Sequence, residues 1–399
     1  MENLIQYLKD NWDLCVRENK EDDGTLLGLP YKYTVPSPET FVELYYWDTY
    51  FTNVGLIKIG KAELAKNNVD NMLYLVDKYG FMPNGNRTYY LNRSQPPFLS
   101  EMVKDIYEYY KDKIWLAGAY GALEKEYKFW QEKRSLPIEL NRYDSELAPE
   151  DEKTWADCLT ERIGYRPEGS EHELARHMLA TAESGWDMNP RWDFEAYNFA
   201  TVDLNCLLYA FENNMAYFSE ILEKADTAKW KYRAGERLVR MNKYMVNENN
   251  IFFDYSVKSK KRSTVFSAAS YFPLFVRAAT KEQAEALAAN LYRIEEKYGI
   301  LACEKQCSDV NYQWGYPNGW ACLQYILING FENYGYYDIA KRIAKKYVEL
   351  TEKVFAETGN FWEKYNVVEG NINVTNEYNM PRMLGWSAGI YIYAKYLTR

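Results

Sequence analysis

The sequence predicts an all-α protein in which about a dozen helices form two layers. Apolar residues recur at helical spacing along nearly the whole chain, whereas signals for strands are few. The chain has 399 residues, more than the roughly 250–300 at which one core usually stops growing. No Pro/Gly/Ser-rich linker or low-complexity segment divides it. We therefore expect a single domain over residues 1–399 that grows as a ring of helices rather than as a ball.

The helices can be placed in order along the chain. Leu4, Leu8 and Trp12 lie on one face of the first helix, and an apolar stripe over 64–79 marks another. Thr280 and Gln283 form a capping box that opens an alanine-rich helix to about residue 298. A long stripe over 339–354 stops near residue 359. Further helices are predicted near 42–58, 100–111, 114–133, 172–184, 198–222, 226–245, 266–278, 318–329 and 382–397.

Strands are expected only as short hairpins in loops, around 251–257 and 361–374. A dozen consecutive helices in paired layers can form either an α-solenoid or a closed toroid. The sequence has no repeat of fixed period, which disfavours the solenoid.

Composition excludes several classes of function. A net charge of -9 and a pI of about 5.2 argue against nucleic acid as a partner. Two histidines make a His-based metal site unexpected. The six cysteines form no C-x-x-C pair, which favours free thiols in a reducing compartment. No signal peptide and no apolar run of roughly 18 residues is present. We expect a cytoplasmic protein without a membrane partner, as a monomer or small homo-oligomer.

Polar segments rich in aromatic residues fall between the predicted helices. Function concentrates on loops that a rigid scaffold positions, and in a toroid alternate connections converge on one end. Because Tyr and Trp combine a flat ring with a polar group, these segments predict a shared site for a sugar. They are TFVELYYWDTYF (40–51), MPNGNRTYYLNRSQPPF (82–98), GYRPEGSEHE (164–173), ESGWDMNPRW (183–192), YQWGYPNGWA (312–321) and FWEKYN (361–366).

Two carboxyl groups in these segments fit glycoside hydrolysis, which needs one acid and one base across the scissile bond. Asp187 follows Trp186 and precedes Trp192, so burial beside indole rings should raise its pKa and suit it to donate a proton. Glu363, after Trp362, is the candidate partner. Candidate donors to sugar hydroxyls are Asn84, Arg87, Arg93, Gln95, Arg166 and Gln313, and candidate stacking rings are Trp47, Trp314 and Trp320.

Each of these residues also has a structural interpretation. Asp187 is a possible helix N-cap, and Glu363 a hairpin carboxylate paired with Lys364. We expect Glu183 to support its loop and Asp254 to be structural. Arg87 and Arg93 are possible halves of buried ion pairs. Cys303 and Cys307 lie four residues apart, but two thiols without further ligands more often belong to a core or loop.

The order of several motifs resembles the trehalase family, glycoside hydrolase family 37. The resemblance extends from about residue 36 to 386 and is carried by ELYYWDTYF, PNGNRTYYLNRSQPPF, ESGWDMNPRW, VDLNCLLY, QWGYPNGWA and WEKYNV. The resemblance implies an (α/α)6 toroid that cleaves α,α-trehalose with inversion and without a cofactor. The EKYN sequence is also similar to the ENYN of the related family 63 α-glycosidases.

The same resemblance implies roles for individual residues. Asp187 matches the general acid and Glu363 the general base, and their carboxyls should lie roughly 6.5–9.5 Å apart if the enzyme inverts. The implied substrate contacts are Phe41, Tyr45, Trp47, Asp48, Asn84, Arg93, Gln95, Arg166, Glu168, Gly185, Trp314 and Glu377. No metal is implied.

The sequence departs from the family pattern at one substrate-binding motif. Thr40 and Val42 stand where trehalases have two arginines, and loss of a charged donor to a sugar costs about a kcal/mol or more. Trehalose hydrolysis leads among the expected functions. The alternatives are hydrolysis of another α-linked glucoside, such as a glucosylglycerate- or kojibiose-like substrate, and a sugar-binding protein without catalysis.

Overall fold

A computed structural model describes residues 2–308, 310–376 and 378–399 of the chain. Within these ranges the chain folds into fourteen α-helices joined by loops with short strands. The helices are α1 (Glu2–Asn11), α2 (Tyr46–Lys58), α3 (Ala62–Tyr79), α4 (Leu99–Tyr110), α5 (Lys113–Lys133), α6 (Glu152–Ile163), α7 (Glu171–Ser184), α8 (Val202–Ile221), α9 (Thr227–Met245), α10 (Phe272–Phe275), α11 (Lys281–Asn290), α12 (Ala321–Asn333), α13 (Tyr337–Thr358) and α14 (Trp386–Leu397).

Six helices form a closed inner ring. Each of α2, α4, α8, α10, α12 and α14 contacts the next, and α14 packs back on α2. Helix α12 is apolar around most of its circumference, and only its Asn329, Glu332 and Asn333 are not buried. A helix that is apolar on all sides needs neighbours on all sides, which the ring provides.

The outer layer consists of amphipathic helices. In α13, Ala340, Ile343, Tyr347 and Leu350 are buried, while charged residues occupy the opposite face. Helices α3, α5, α9 and α13 pack on inner helices. The ring of Tyr7 in α1 contacts α13, and a side-chain hydrogen bond joins α11 to α9. The predicted (α/α)6 toroid is confirmed, with α6 and α7 as an additional hairpin.

The α6–α7 hairpin was not fully predicted, since the sequence pattern indicated α7 but no helix over α6. Helix α6 has its own small core, in which Leu159 and Ile163 pack on Leu174 and Met178 rather than on the ring. Its apolar stripe is short and lies among charged residues, which obscures its period. Pro149 before it and Gly164 after it are the boundary signals that were available.

The nine short strands of the described chain differ in part from the predicted hairpins. They are β1 (Val16–Arg17), β2 (Tyr33–Thr34), β3 (Phe199–Ala200), β4 (Tyr255–Ser256), β5 (Lys261–Arg262), β6 (Glu295–Glu296), β7 (Gly299–Ile300), β8 (Asn318–Trp320) and β9 (Lys364–Asn366). The hairpin near 251–257 is confirmed in part: β4 lies in that range, and its partner β5 follows it at 261–262. The hairpin over 361–374 is confirmed only as a bridge between Asn366 and Asn371, because the main partner of β9 is β8, to which it pairs antiparallel.

Three predicted helices are shorter than expected. The first ends at Asn11 and continues as a 3₁₀ turn into β1. The helix over 266–278 is a 3₁₀ turn followed by the single turn of α10, which contains Pro273. A proline is tolerated in the first turn of a helix but not in its interior, so the apolar run there does not extend as one helix. Helix α11 ends at Asn290.

Candidate active site

One cavity collects residues from the N-terminal ends of four inner helices. Trp47 and Asp48 lie in the first turn of α2, Gln95 precedes α4, Trp320 caps α12 and Trp386 begins α14. The cavity has a volume of about 150 Å³, several times the roughly 10–15 Å³ that one water needs. The N-terminal ends of helices carry partial positive charge, so this end of the ring favours carboxylates and hydroxyl oxygens.

Indole rings form the floor of this cavity. Trp314 and Trp320 stack in parallel with their centroids 3.9 Å apart. Trp47 lies 5.5 Å from Trp314, and Trp386 meets it edge-on at 6.3 Å. All four rings are buried, yet each has atoms on the cavity. A flat apolar surface with polar groups around it is the kind of surface on which a sugar ring packs.

A second set of aromatic rings lines the same cavity. Phe41 meets Tyr45 and Tyr378 edge to face, with centroids 5.9 and 5.5 Å away, and Tyr45 meets Tyr90 at 5.7 Å. Phe41 has a left-handed backbone with φ of 56°. That conformation is uncommon for a bulky residue, and here it accompanies a ring that lines the cavity.

Asp187 reaches the cavity through the end of α7. The helix stops at Gly185, whose φ of 71° turns the chain so that Trp186 enters the core and Asp187 faces the cavity. Its Oδ1 atom is buried without a hydrogen-bond partner among the described residues. Burial raises the pKa of Asp187; the charges of Arg162 and Arg93 act against this, and that of Glu363 adds to it. Asp187 caps none of the described helices, so the N-cap interpretation is wrong.

Glu363 is held firmly in the wall of the same cavity. It is 3% exposed and lies immediately before β9. Lys364 Nζ donates to its Oε2 at 2.6 Å, and the hydroxyl of Tyr378 donates to its Oε1 at 2.7 Å. The indole Nε1 of Trp386 donates to its backbone carbonyl at 3.0 Å. The predicted pairing with Lys364 is confirmed, and it does not remove the carboxylate from the cavity.

Asp48 completes a group of three carboxyls. It faces the cavity from α2. Burial, with smaller contributions from the charges of Glu363 and Asp187, raises the pKa of Asp48 to about 7. Three carboxyls that share a small cavity cannot all ionise readily, because like charges disfavour one another. The cavity therefore combines carboxyls of raised pKa with one that is paired with a lysine, a combination that suits general acid–base chemistry.

A comparison with known families identifies the group to which this site belongs. The family model described as trehalase matches residues 1–397. The chain belongs to the trehalase family.

Solved structures agree with the family and the fold. The chain is similar to neutral trehalase from Saccharomyces cerevisiae, with 29% identity and a TM-score of 0.80, over 99% of this chain and 80% of that one. It is similar in fold to a family 63 mannosylglycerate hydrolase from Thermus thermophilus in complex with glucose, with 15% identity, a TM-score of 0.68 and coverage of 98% and 99%. The family implies a carbohydrate as substrate.

In this trehalase-family chain, most residues predicted for the site line one cavity. Alongside Asp187 and Glu363 these are Phe41, Tyr45, Trp47, Asp48, Asn84, Arg93, Gln95, Gly185 and Trp314. The candidates Gln313 and Trp320 line it as well. Their roles as substrate contacts stay predictions, as do the roles of Asp187 and Glu363 as acid and base and the separation of their carboxyls. Glu377 lies outside the described residues.

The structure does not bring Arg166 or Glu168 to the cavity. Both are located on the loop between α6 and α7, where both are exposed. Arg166 is held there by Asp157 at 3.0 Å and by Glu171 at 3.7 Å. Arg87 also lies outside the cavity lining, because its guanidinium pairs with Glu43 at 2.7 Å. The ion-pair interpretation is confirmed for Arg87.

Arg93 was the other possible half of a buried ion pair, but its contacts among the described residues are with aromatic rings and an amide. It stacks on Tyr90 and Trp155, with its guanidinium carbon 5.0 and 5.4 Å from the ring centroids. Its Nη1 donates to Oδ1 of Asn92 at 2.8 Å, and its Nε is buried without a partner among the described residues. An unpaired buried donor on a cavity lining is available to a ligand oxygen.

Two carboxylates near the site are structural, as predicted. Glu183 is fully buried and accepts from Arg134 at 2.9 Å and from the backbone N–H groups of Ser94 and Asp144. It thereby ties α7 to the segment that carries Arg93. Asp254 pairs with Arg191 at 2.9 Å and accepts from Trp192 Nε1 at 2.8 Å.

Several lining residues were not found from the sequence. They are Pro36, Tyr90, Ala182, Tyr378, Met383 and Trp386. Tyr90 lies in a motif that was quoted for other residues, so its place in that motif was the available signal. Within the described ranges there is no group of three or more His, Cys, Asp or Glu arranged to hold a metal ion. In the same ranges no helix has the length and apolarity of a membrane span.

Proposed function

We propose that this chain is an inverting α-glycosidase that hydrolyses a small α-glucoside, with α,α-trehalose as the leading substrate. The observation that carries the proposal is the meeting of Asp187 and Glu363 in one cavity, one with a raised pKa and one hydrogen-bonded by a lysine. Family membership and the similarity to a neutral trehalase support the choice of trehalose.

In the proposed reaction Asp187 donates its proton to the glycosidic oxygen as the bond from that oxygen to C1 breaks. Glu363 takes a proton from a water whose oxygen bonds to C1 from the opposite face. The turnover consumes one water and leaves Glu363 protonated and Asp187 ionised, and exchange with solvent restores both. The indole floor would support the sugar ring, and the buried Nε of Arg93 would donate to one of its oxygens.

The hydrolysis of a different α-linked glucoside is the second candidate. The segment with Thr40 and Val42 brings the ring of Phe41 to the cavity, where the family motif has arginines on either side. Met383 adds a further apolar side chain to the same lining. A leaving group with fewer hydroxyls than glucose fits such a wall better than a second sugar does.

A panel of α-linked disaccharides and glucosides, with released glucose as the readout, separates these candidates. Glucose from trehalose alone supports a trehalase, and release only from other glucosides supports the second candidate. No release from any substrate, together with a thermal shift on addition of sugar, would contradict hydrolysis and favour a binding protein.

The roles of the two carboxyls can be separated with α-glucosyl fluoride, whose leaving group needs little help from an acid. Asp187→Asn should lower turnover of the disaccharide by about 10²–10⁴-fold and spare hydrolysis of the fluoride. Glu363→Gln should lose both activities. Proton NMR should show the β anomer first from the fluoride if the configuration inverts. Equal loss of both activities in the two variants, or α-glucose as the first product, would contradict these roles.

A further inference from the structure

Lys364 is a buried lysine, and its side chain does not follow the direction expected from its place in strand β9. Its side chain is 0% exposed. Neighbouring residues in a strand point to opposite faces, yet Lys364 extends back to Oε2 of the residue before it, at 2.6 Å. Its ammonium also lies 3.3 Å from Oε1 of Gln313 and 4.8 Å from the centroid of the Trp320 ring. The lysine is therefore held on three sides.

Burial of an ammonium group is costly unless charge and hydrogen bonds compensate for it. Lys364 receives this compensation from Glu363 and Gln313. A buried cation that contacts the carboxylate in the role of base changes the charge balance at the reacting atoms, which an apolar residue of the same size would not do.

The groups around Glu363 come from several elements. Asp48 faces it from α2 and Asp187 from the chain after α7, and both carry carboxyls whose charge disfavours ionisation of a third. Tyr378 donates a hydroxyl to Oε1. Lys364 supplies the positive charge in direct contact with Oε2. An opposite charge at this distance favours the ionised form of a carboxylate.

We propose that Lys364 is a positioning residue that keeps Glu363 ionised and fixes the direction of its carboxylate. Through this contact it decides which of the three carboxyls carries the charge of the base, while Asp187 keeps its proton. A carboxylate can accept about four hydrogen bonds, so the bonds from Lys364 and Tyr378 leave room for the attacking water. The inference rests on the proposed function, because it assigns Glu363 the role of base.

The test compares Lys364→Met with Lys346→Met. Lys346 forms an ion pair of similar length with Glu295, at 2.7 Å, on the outer helix α13 and away from the cavity lining. Both variants are assayed on the best α-glucoside of the panel and on α-glucosyl fluoride, with full pH profiles. We expect Lys364→Met to lower kcat on both substrates by about a hundredfold or more. The acidic limb of kcat/KM should move to higher pH.

Lys346→Met should keep the kcat and the acidic limb of the unmodified protein. Lys364→Arg restores the positive charge and should return the acidic limb toward its original pH, even if the altered shape lowers kcat. This second variant keeps the test decisive if Lys364→Met folds poorly.

Wild-type kcat and an unmoved acidic limb in Lys364→Met would overturn the inference. So would a loss confined to the α-glucoside with fluoride hydrolysis kept, because that pattern belongs to the acid. If the unmodified protein hydrolyses neither substrate, the proposed function fails first, and this outcome is seen before any variant is assayed.

Discussion

The buried carboxyl of Asp48 makes the stability of the folded chain depend on pH. The pKa of this group is about 7 in the folded chain, against roughly 3.9 for an unperturbed aspartate. A raised pKa means that the folded state holds the proton more tightly than the unfolded state does. The stability associated with this group is therefore full below about pH 4 and is lost as pH rises through about 7.

Asp48→Asn should remove this dependence, because an amide does not titrate. We expect the melting temperature of the variant, relative to that of the unmodified protein, to rise between pH 5 and pH 8. Differential scanning fluorimetry across this range measures it. The control is Asp338→Asn, the same change on an exposed residue in the first turn of α13. A relative melting temperature that does not change with pH in Asp48→Asn would show that Asp48 is ionised throughout.

The contrast between Glu183 and Asp187 shows what local sequence cannot decide. Both are carboxyls in or just after the last turn of α7, and they lie four residues apart. One pairs with Arg134 from a distant segment, and the other faces the cavity without a partner on Oδ1 among the described residues. The difference depends on where Arg134 and Arg93 lie after folding. Motif order along the chain separated the two residues, and their spacing did not.

At the scale of elements, the junction between α7 and the cavity depends on one glycine. Gly185 has a φ of 71°, and a Cβ there would lie 2.7 Å from Cε2 of Trp47. Helix α7 ends where the indole floor begins, so the turn fixes Asp187 and Trp47 together. Gly335 follows α12 with a similar φ of 79°, but a Cβ there would meet nothing within 4 Å among the described residues.

Gly335→Ala should therefore cost only the strain of a left-handed residue, about 1–2 kcal/mol of unfolding free energy, with kcat unchanged. Gly185→Ala should cost more and should also lower kcat/KM by roughly tenfold to a hundredfold, because displacement of reacting groups by about 1 Å has effects of this size. Urea denaturation and steady-state kinetics measure both effects. Equal losses in the two variants, without a kinetic defect in Gly185→Ala, would contradict the role given to this turn.

Long helices were predictable where apolar residues recur at the helical period and the same residues are buried in the fold. Helices α5 and α13 have continuous stripes and lie within a few residues of their predicted bounds. The pairing of β9 with β8 was not predictable, because the two strands lie far apart in the chain and each has three residues. Glu168 was predicted by resemblance alone, and Arg166 by its residue type as well, but acidic neighbours hold Arg166 on the outer hairpin.

At the scale of the whole molecule, the site exists only because the ring closes. Trp47 lies in the first turn of the first inner helix and Trp386 begins the last, and their rings meet edge to face on the cavity lining, with centroids 6.0 Å apart. The closure joins α2 to α14, at opposite ends of the chain. The two helices approach closely at Gly55 and Gly389, where a Cβ on Gly55 would lie 2.4 Å from Cα of Gly389.

This contact has no flexible atom that can move aside. A Cβ on Gly389 would lie 2.3 Å from the backbone oxygen of Phe51, so the helices themselves would have to separate. Gly389→Ala should lower the free energy of unfolding by about 1–3 kcal/mol, as overpacking does in a tight core. It should also lower kcat/KM, because α2 and α14 carry Trp47 and Trp386 into the cavity.

The matched control is Gly121→Ala in the outer helix α5, where a Cβ meets nothing within 4 Å among the described residues. Removing a glycine from a helix interior stabilises by about 0.5–1 kcal/mol, so the same substitution should have opposite signs at the two positions. Chemical denaturation with kinetics at one pH measures both. If Gly389→Ala is as stable as Gly121→Ala and keeps full activity, the first and last inner helices do not close the ring through this contact, and the site does not depend on it.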